Sequence, residues 1–318
     1  MIAVSQTLPE AARNEALAPG AILRRTLNFL LAAGEARRRR ITALYLNNYF
    51  TVVVLDGENV GVCMSSFHLP ASELASMEQN LRALLASDPL LLRYIEAEGN
   101  AGGVPGSVRA AVANALSAPA LGHGNDTFFT SSPTCPNGFF AEIDSAVVIG
   151  WGGLFNFLVR RTTALRIHVS ELVYHSKKER IDAELDAYRA QYPYLELSIS
   201  DGSDIEDRLS NADLLAITGS TLGNNTLESL LRMSRNCPRV VLQGQSAAIH
   251  PRYLFEAGVK LVATSLKPAA VAEAAATDPT GNALRPFFEK GLPWIYFEPR
   301  LQEGPAVLSA RLSQEFEP

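Results

Sequence analysis

Residues 144–171 read DSAVVIGWGGLFNFLVRRTTALRIHVSE. A β-branched apolar run, Ala146 to Ile149, stops at Gly150-Trp151-Gly152-Gly153. A helical stripe of Leu154, Phe157 and Leu158 follows, then a second apolar run from Leu165 to Val169 that ends in Glu171. Strand, glycine turn, helix, strand and acid is the order of folds that hold an adenosine group. Glycines let backbone N–H groups approach a ligand, and a helix N-terminus adds positive potential. A carboxylate in this place can accept hydrogen bonds from both ribose hydroxyls. Phe155 stands where the dinucleotide fingerprint carries its third glycine, so the motif by itself also fits a tight turn in any doubly wound domain.

Downstream the alternation continues. Ile181 to Arg189 reads as a helix, Leu195 to Ile199 as a strand, Ile205 to Leu209 as a short helix and Leu214 to Thr218 as a buried strand. A helix follows over Leu227 to Arg235, then strands at Val240 to Leu242 and Leu261 to Ala263. The expected class is α/β: a doubly wound, mostly parallel Rossmann-like sheet preceded by a small α+β N-terminal domain. Glycine-containing polar motifs fall at the C-terminal ends of successive strands, the edge where such sheets bind ligands.

The smaller domain is expected over residues 1–121. Ile22 to Ala33 has helical spacing and ends before the basic run Arg37 to Arg40, read as solvating a helix C-terminus. Two apolar runs flanking Asp56-Gly57 read as an antiparallel hairpin. Glu73 to Ala97 and Ser107 to Leu116 read as helices separated by a glycine-rich break. Residues 122–143 read as a connecting loop carrying Phe128, Phe129, Phe139 and Phe140. These phenylalanines either join the two domains or line a pocket at their junction. The ligand-binding domain is expected over residues 144–300, followed by a polar tail over 301–318.

The chain has 318 residues and a net charge of −5, without the basic surplus expected of a nucleic-acid binder. It shows no secretion signal and no apolar run of membrane-spanning length, so a cytoplasmic, membrane-free protein is expected. Cys63, Cys135 and Cys237 are odd in number, far apart and without CxxC spacing, which argues against disulfides and a structural zinc. Five histidines, His68, His123, His168, His175 and His250, show no metal-ligand spacing. Convergence of His123, Cys135 and His175 at the domain junction stays open. His168, inside a strand, is expected to be a satisfied core residue. GQSAA resembles half of a nucleophile elbow but lacks the GxSxG pattern.

Glu171 is the leading ribose ligand, with a surface acid at a strand end as the alternative. Asp201 and Asp204 stand where an acid can read an adenine amino group, and both also suit a turn or a helix cap. Ser220, Thr221, Asn224, Asn225 and Thr226 lie before a helix, where a carboxylate or phosphate would bind; capping accounts for one of the five. Tyr174 and His175 follow Glu171 closely and could reach the same pocket.

The pieces VVIGWGGLF (147–155), NADLLAITGSTLGNNTLESLL (211–231) and RVVLQGQSAAIHPRYLFEAGVKLV (239–262), with the preceding hairpin, resemble the Rossmann-like heavy-metal chelation family over about residues 40–270. Some proteins of this general shape resemble S-adenosylmethionine-using enzymes that form azetidine-2-carboxylate. That resemblance implies S-adenosylmethionine as substrate, no metal, and intramolecular ring closure with release of methylthioadenosine. Ordinary methyl transfer is a close variant, and metal or metal-chelate binding is the alternative class; an NAD-dependent oxidoreductase is disfavoured by the missing glycine. Gly150, Trp151, Gly152, Gly153, Glu171, Asp201, Ser220, Thr221, Asn224 and Thr226 would then hold the ligand. Tyr174 or Asn225 would orient the amine, and Phe128, Phe129, Phe139, Trp151 and Tyr174 would face the sulfonium, a cation attracted to ring faces. The apolar segment PFFEKGLPWIYF (286–297) reads first as cover for a sheet edge and second as a homodimer surface.

Overall fold

The structure, a computed structural model, describes residues 15, 17–33, 39–56, 58–65, 69–87, 105–124, 126–288 and 292–300. The small domain opens with α1 (Ala21–Ala32), whose stripe of Ile22, Leu23, Leu27, Leu30 and Leu31 is buried. Each such side chain contributes roughly 1.5–3 kcal/mol by leaving water. Three antiparallel strands follow in the order β1 (Ile41–Leu46), β2 (Phe50–Leu55), β3 (Val60–Met64). The expected hairpin is thus a three-stranded meander, because the first apolar run is itself folded at Asn47. The Asn47 carboxamide oxygen accepts the N–H groups of Tyr49 and Phe50, closing a turn without glycine. Gly57 and His68 lie outside the described residues.

Helix α2 (Ala71–Ser87) begins near the expected start, and residues 88–97 of the expected helix lie outside the described residues. Helix α3 (Gly106–Gly122) runs past Leu116 and tolerates Pro119 in its last turn. Its alanines Ala110, Ala111, Ala113 and Ala115 are fully buried, and it lies directly on β3. A Cβ on Gly61 would come within 1.8 Å of the Ala111 carbonyl oxygen, so this close approach requires glycine.

The large sheet has eight strands in the order β4-β11-β10-β9-β8-β5-β6-β7. They are β4 (Phe129–Ser132), β5 (Ser145–Ile149), β6 (Arg166–Ser170), β7 (Glu196–Ser200), β8 (Leu214–Thr218), β9 (Arg239–Gln243), β10 (Leu261–Thr264) and β11 (Ile295–Pro299). Strands β5 to β10 are parallel, whereas β11 and β4 continue the sheet antiparallel. Helices α4 (Gly153–Val159), α5 (Lys178–Gln191), α6 (Ile205–Ser210) and α7 (Leu227–Met233) make the crossovers. Helices α8 (Arg252–Glu256) and α9 (Ala269–Thr277) flank β10. The chain thus forms the expected doubly wound α/β sheet with a small α+β unit before it.

Two strands escaped the sequence reading. Phe129–Ser132, within the stretch expected to be a connecting loop, forms β4, and Ile295–Pro299 pairs with β10. The apolar segment near residue 295 therefore does cover a sheet edge, by pairing with it.

One apolar core joins the two units. Ile22, Leu27, Leu44, Val53, Ala111 and Val112 belong to the same buried cluster as Leu215, Ile217, Leu242 and Val262. The small domain packs on one face of the large sheet; Val148, Leu154, Phe155, Val169 and Ala216 form a second core on the other face.

Candidate functional site

Strand order reverses between β5 and β8, since β6 and β7 lie on one side and β8 to β10 on the other. Open α/β sheets bind ligands in the crevice outside such a switch point. The register aligns the strand ends there. Ile149 faces Ser170 and Ile217, Ser170 faces Ser200, and Thr218 faces Gln243. Gly150, Glu171, Asp201 and Gly219 consequently share one edge.

The glycine loop forms because only glycine adopts its backbone angles readily. Gly150 has φ +99° and Gly152 φ +133°. A Cβ built on Gly152 or Gly153 would meet nothing within 4 Å, so space is open beside this turn. Glu171 braces the turn: its Oε2 accepts the Trp151 N–H at 2.7 Å and its Oε1 the Val173 N–H at 3.1 Å. A carboxylate offers roughly four acceptor positions, so two remain for a ligand. Trp151 stacks on Phe155 at 4.7 Å and donates its indole N–H to Glu184. The bulky side chain at the missing third glycine is thus part of the core, 1 % exposed.

Asp201 lies one strand further along. The Ser203 backbone and hydroxyl, then His175 at 2.9 Å, hold its carboxyl down to about 2. Asp204 is held below the usual carboxylate range, first by the Ser200 hydroxyl and also by Arg208. Both acids are committed to local partners.

The loop after β8 contributes less than expected. Thr221 donates to the Thr218 carbonyl, and Asn224 accepts from the backbone and hydroxyl of Thr226. Those three side chains are spent on their own turn. Asn225 sits at φ +58°, with its buried Oδ1 unpartnered and facing Gly20 at the start of α1. Ser220, which donates to Thr218 Oγ1 at 3.3 Å, keeps capacity to accept from a ligand.

The phenylalanines lie elsewhere. Phe129 pairs with Pro299 on β11, two residues beyond the Phe297 that faces Val262. It is therefore level with the N-terminal end of β10, at the edge opposite the glycine loop. There it is fully buried against Phe297 and His250. Phe128 packs edge-on to Phe29 beneath the Arg252 guanidinium. Phe139 stacks edge-on with Phe140, and Arg239 at the start of β9 donates to its carbonyl. The expectation that these three surround a ligand at the glycine loop gives way to a packing role. Tyr174 donates to Asp182 and accepts from Lys178, so its hydroxyl joins an ion network on α5.

His168 is satisfied by Ser198 and Ser200, as expected of a strand interior, and burial pushes its pKa down. His123 contacts the Pro119 carbonyl, His175 contacts Asp201, and the Cys135 thiol is pushed up by burial. Among the described residues no group of three or more His, Cys, Asp or Glu side chains is arranged to hold a metal. The three cysteines are free. No described helix is long and apolar enough to cross a membrane.

A second polar group was missed by the sequence reading. At the ends of β9 and β10 the buried side chains Gln243, Ser246, Thr264, Ser265 and Lys267 gather, facing Cys63 and Asn114 of the small domain. Lys267 Nζ donates to the carbonyls of Gln245 and Ser265. Ser246 accepts the Met64 N–H on its hydroxyl and the Asn114 amide on its carbonyl. Burial pushes the Lys267 ammonium down to about 7 and the Cys63 thiol up to about 12. A lone lysine in the apolar stretch LVATSLKPAAVAEAAA (261–276) was the available signal.

Comparison with known proteins agrees with this architecture. The profile of the family DUF364, described as "Putative heavy-metal chelation", matches residues 182–291, about a third of the chain. A protein of unknown function from the DUF364 family of Desulfitobacterium hafniense DCB-2 is similar in structure at 17% identity and TM-score 0.59. That likeness covers 92% of this chain and 100% of that one. Another, from Pyrococcus horikoshii, is similar at 13% identity and TM-score 0.58, covering 88% of this chain and 100% of that one. At these identities the likeness establishes the fold. No curated protein matches the chain.

Proposed function

We propose that the switch-point crevice binds an adenosine-bearing small molecule, with S-adenosylmethionine as the ligand, and that the protein is an enzyme acting on it. The observation that carries this reading is Glu171 held against the open glycine turn through the Trp151 N–H at 2.7 Å. A ribose laid on Gly152 and Gly153 would meet the free acceptor positions of that carboxylate. Phe155 in place of the third glycine suits a single adenosine better than a dinucleotide. Trp151 is the aromatic residue at the crevice that a sulfonium could face. Ser220 remains for the ligand's polar end.

The proposed reaction is ring closure. The ligand's neutral α-amine attacks its γ-carbon, an N–C bond forms, and the C–S bond breaks. The electron pair leaves with sulfur as methylthioadenosine, and the amine proton passes to a base. A four-membered ring is strained, so the crevice would act by holding the chain folded with the amine in line with sulfur.

Incubation of the purified protein with S-adenosylmethionine, followed by mass spectrometry, tests the proposal. Methylthioadenosine with azetidine-2-carboxylate supports ring closure, and S-adenosylhomocysteine would replace it with methyl transfer. An unchanged ligand that also fails to bind would overturn the adenosyl reading.

Metal binding is the second reading, favoured by the description of the family whose profile matches residues 182–291. It predicts uptake of zinc, nickel or cobalt by the folded protein in equilibrium dialysis.

A further inference from the structure

The loops after β9 and β10 enclose an amine with no acid bonded to it. Lys267 is 9 % exposed, and its Nζ donates to the Gln245 carbonyl at 2.8 Å and the Ser265 carbonyl at 2.5 Å. A neutral amine has two hydrogens, so those two bonds would use both and leave the lone pair aimed in a third direction. The same polar group holds buried side-chain atoms without a partner: Asn114 Oδ1, Gln243 Oε1, Gln245 Oε1 and Ser265 Oγ. The Asn114 orientation is fixed, because its amide nitrogen donates to the carbonyls of Ala110 and Ser246. Buried polar atoms ordinarily have partners, and four orphans in the polar group that holds this amine point to an absent molecule that brings donors.

We propose that this group is a second ligand site, in which Lys267 condenses with a small hydroxylated aldehyde or ketone to form an imine. The Nζ lone pair adds to the carbonyl carbon, forming an N–C bond, and the C–O bond then breaks. The oxygen leaves as water with the two amine hydrogens, so no oxidant or reductant is needed. Hydroxyl groups of the substrate would donate to Asn114 Oδ1 and Gln245 Oε1. The same acceptors repel a carboxylate, so keto acids should be poor substrates. Burial, which pushes Lys267 down to about 7, supports the reading by supplying neutral amine at physiological pH. Cys63 on β3 is the titratable group whose field also reaches Lys267, and it is neutral there. The site lies two strands from β8 along the same sheet edge, and the inference stands apart from the adenosyl reading.

The test is reductive trapping. Folded protein at pH 7 is treated with glycolaldehyde and cyanoborohydride, and labelled peptides are mapped by mass spectrometry. The expected result is at least tenfold more label on Lys267 than on the exposed Lys178 or Lys260. That preference should vanish in urea and fall sharply when pyruvate replaces glycolaldehyde. Label on Lys267 equal to or below that on the surface lysines in the folded protein would overturn the proposal. Equal trapping of pyruvate would overturn the hydroxyl specificity.

Discussion

Glu171 has two tasks at once, bracing the Gly150–Gly153 turn and offering acceptors to a ribose. Its replacement by Ala should weaken S-adenosylmethionine binding at least about tenfold, since hydrogen bonds to a charged group are worth roughly 1.5–3 kcal/mol. Titration calorimetry of the variant checks this, and Glu171→Gln should lose less because it keeps an acceptor. Lys267 makes a different prediction, readable in stability alone. Its folded pKa of about 7 lies below the unfolded value near 10.4. Between those values the unfolded chain holds a proton that the folded chain lacks, so raising pH favours folding. Relative to Lys267→Met, the wild-type protein should gain on the order of 1–3 kcal/mol between pH 7 and pH 9 in urea unfolding. A constant difference across that range would mean that Lys267 is charged in the folded state.

At the scale of the element, the close seat of α3 on β3 depends on Gly61. Gly61→Ala puts a methyl into the Ala111 carbonyl and should cost at least about 2–3 kcal/mol in urea unfolding, overpacking against backbone being poorly relieved. The elements around the site were legible where apolar runs met glycines: β5, β7, β8 and β9 run into the turns of Gly150, Gly202, Gly219 and Gly244. Asn47 hid a turn because its side chain, and no glycine, closes it. Strand β4 was hidden because it is short and its partner β11 lies over 150 residues away, and β11 because it follows the alternating pattern and pairs antiparallel on both sides. The aromatic residues near β4 were misplaced for the same reason. Without the antiparallel pairing, nothing local says that Phe128 and Phe129 sit at the opposite edge from Gly152. Phe128→Ala should therefore leave ligand affinity within about twofold while lowering stability, as loss of an aromatic packing contact does. Lys267 was invisible as a site residue because its partners come from backbone carbonyls of two loops, and Cys63 faces it from the other domain.

The whole molecule is two architectural units sharing one core. Side chains of α1, β2 and α3 pack into the same cluster as those of β8, β9 and β10, and Ser246 ties β3 and α3 to the large sheet. Unfolding should accordingly be one cooperative transition, with tryptophan fluorescence from the large sheet and far-UV circular dichroism giving the same midpoint. Two separated midpoints would show that the small domain folds independently. At the switch point of the large sheet, the turn beside Glu171 is the proposed seat for an adenosyl group. Titration calorimetry of the wild-type protein and Glu171→Ala with S-adenosylmethionine addresses it most directly. Binding to the wild-type protein should be saturable, and at least about tenfold weaker in the variant. Absence of binding to well-folded wild-type protein, or equal affinity in the two, would contradict it.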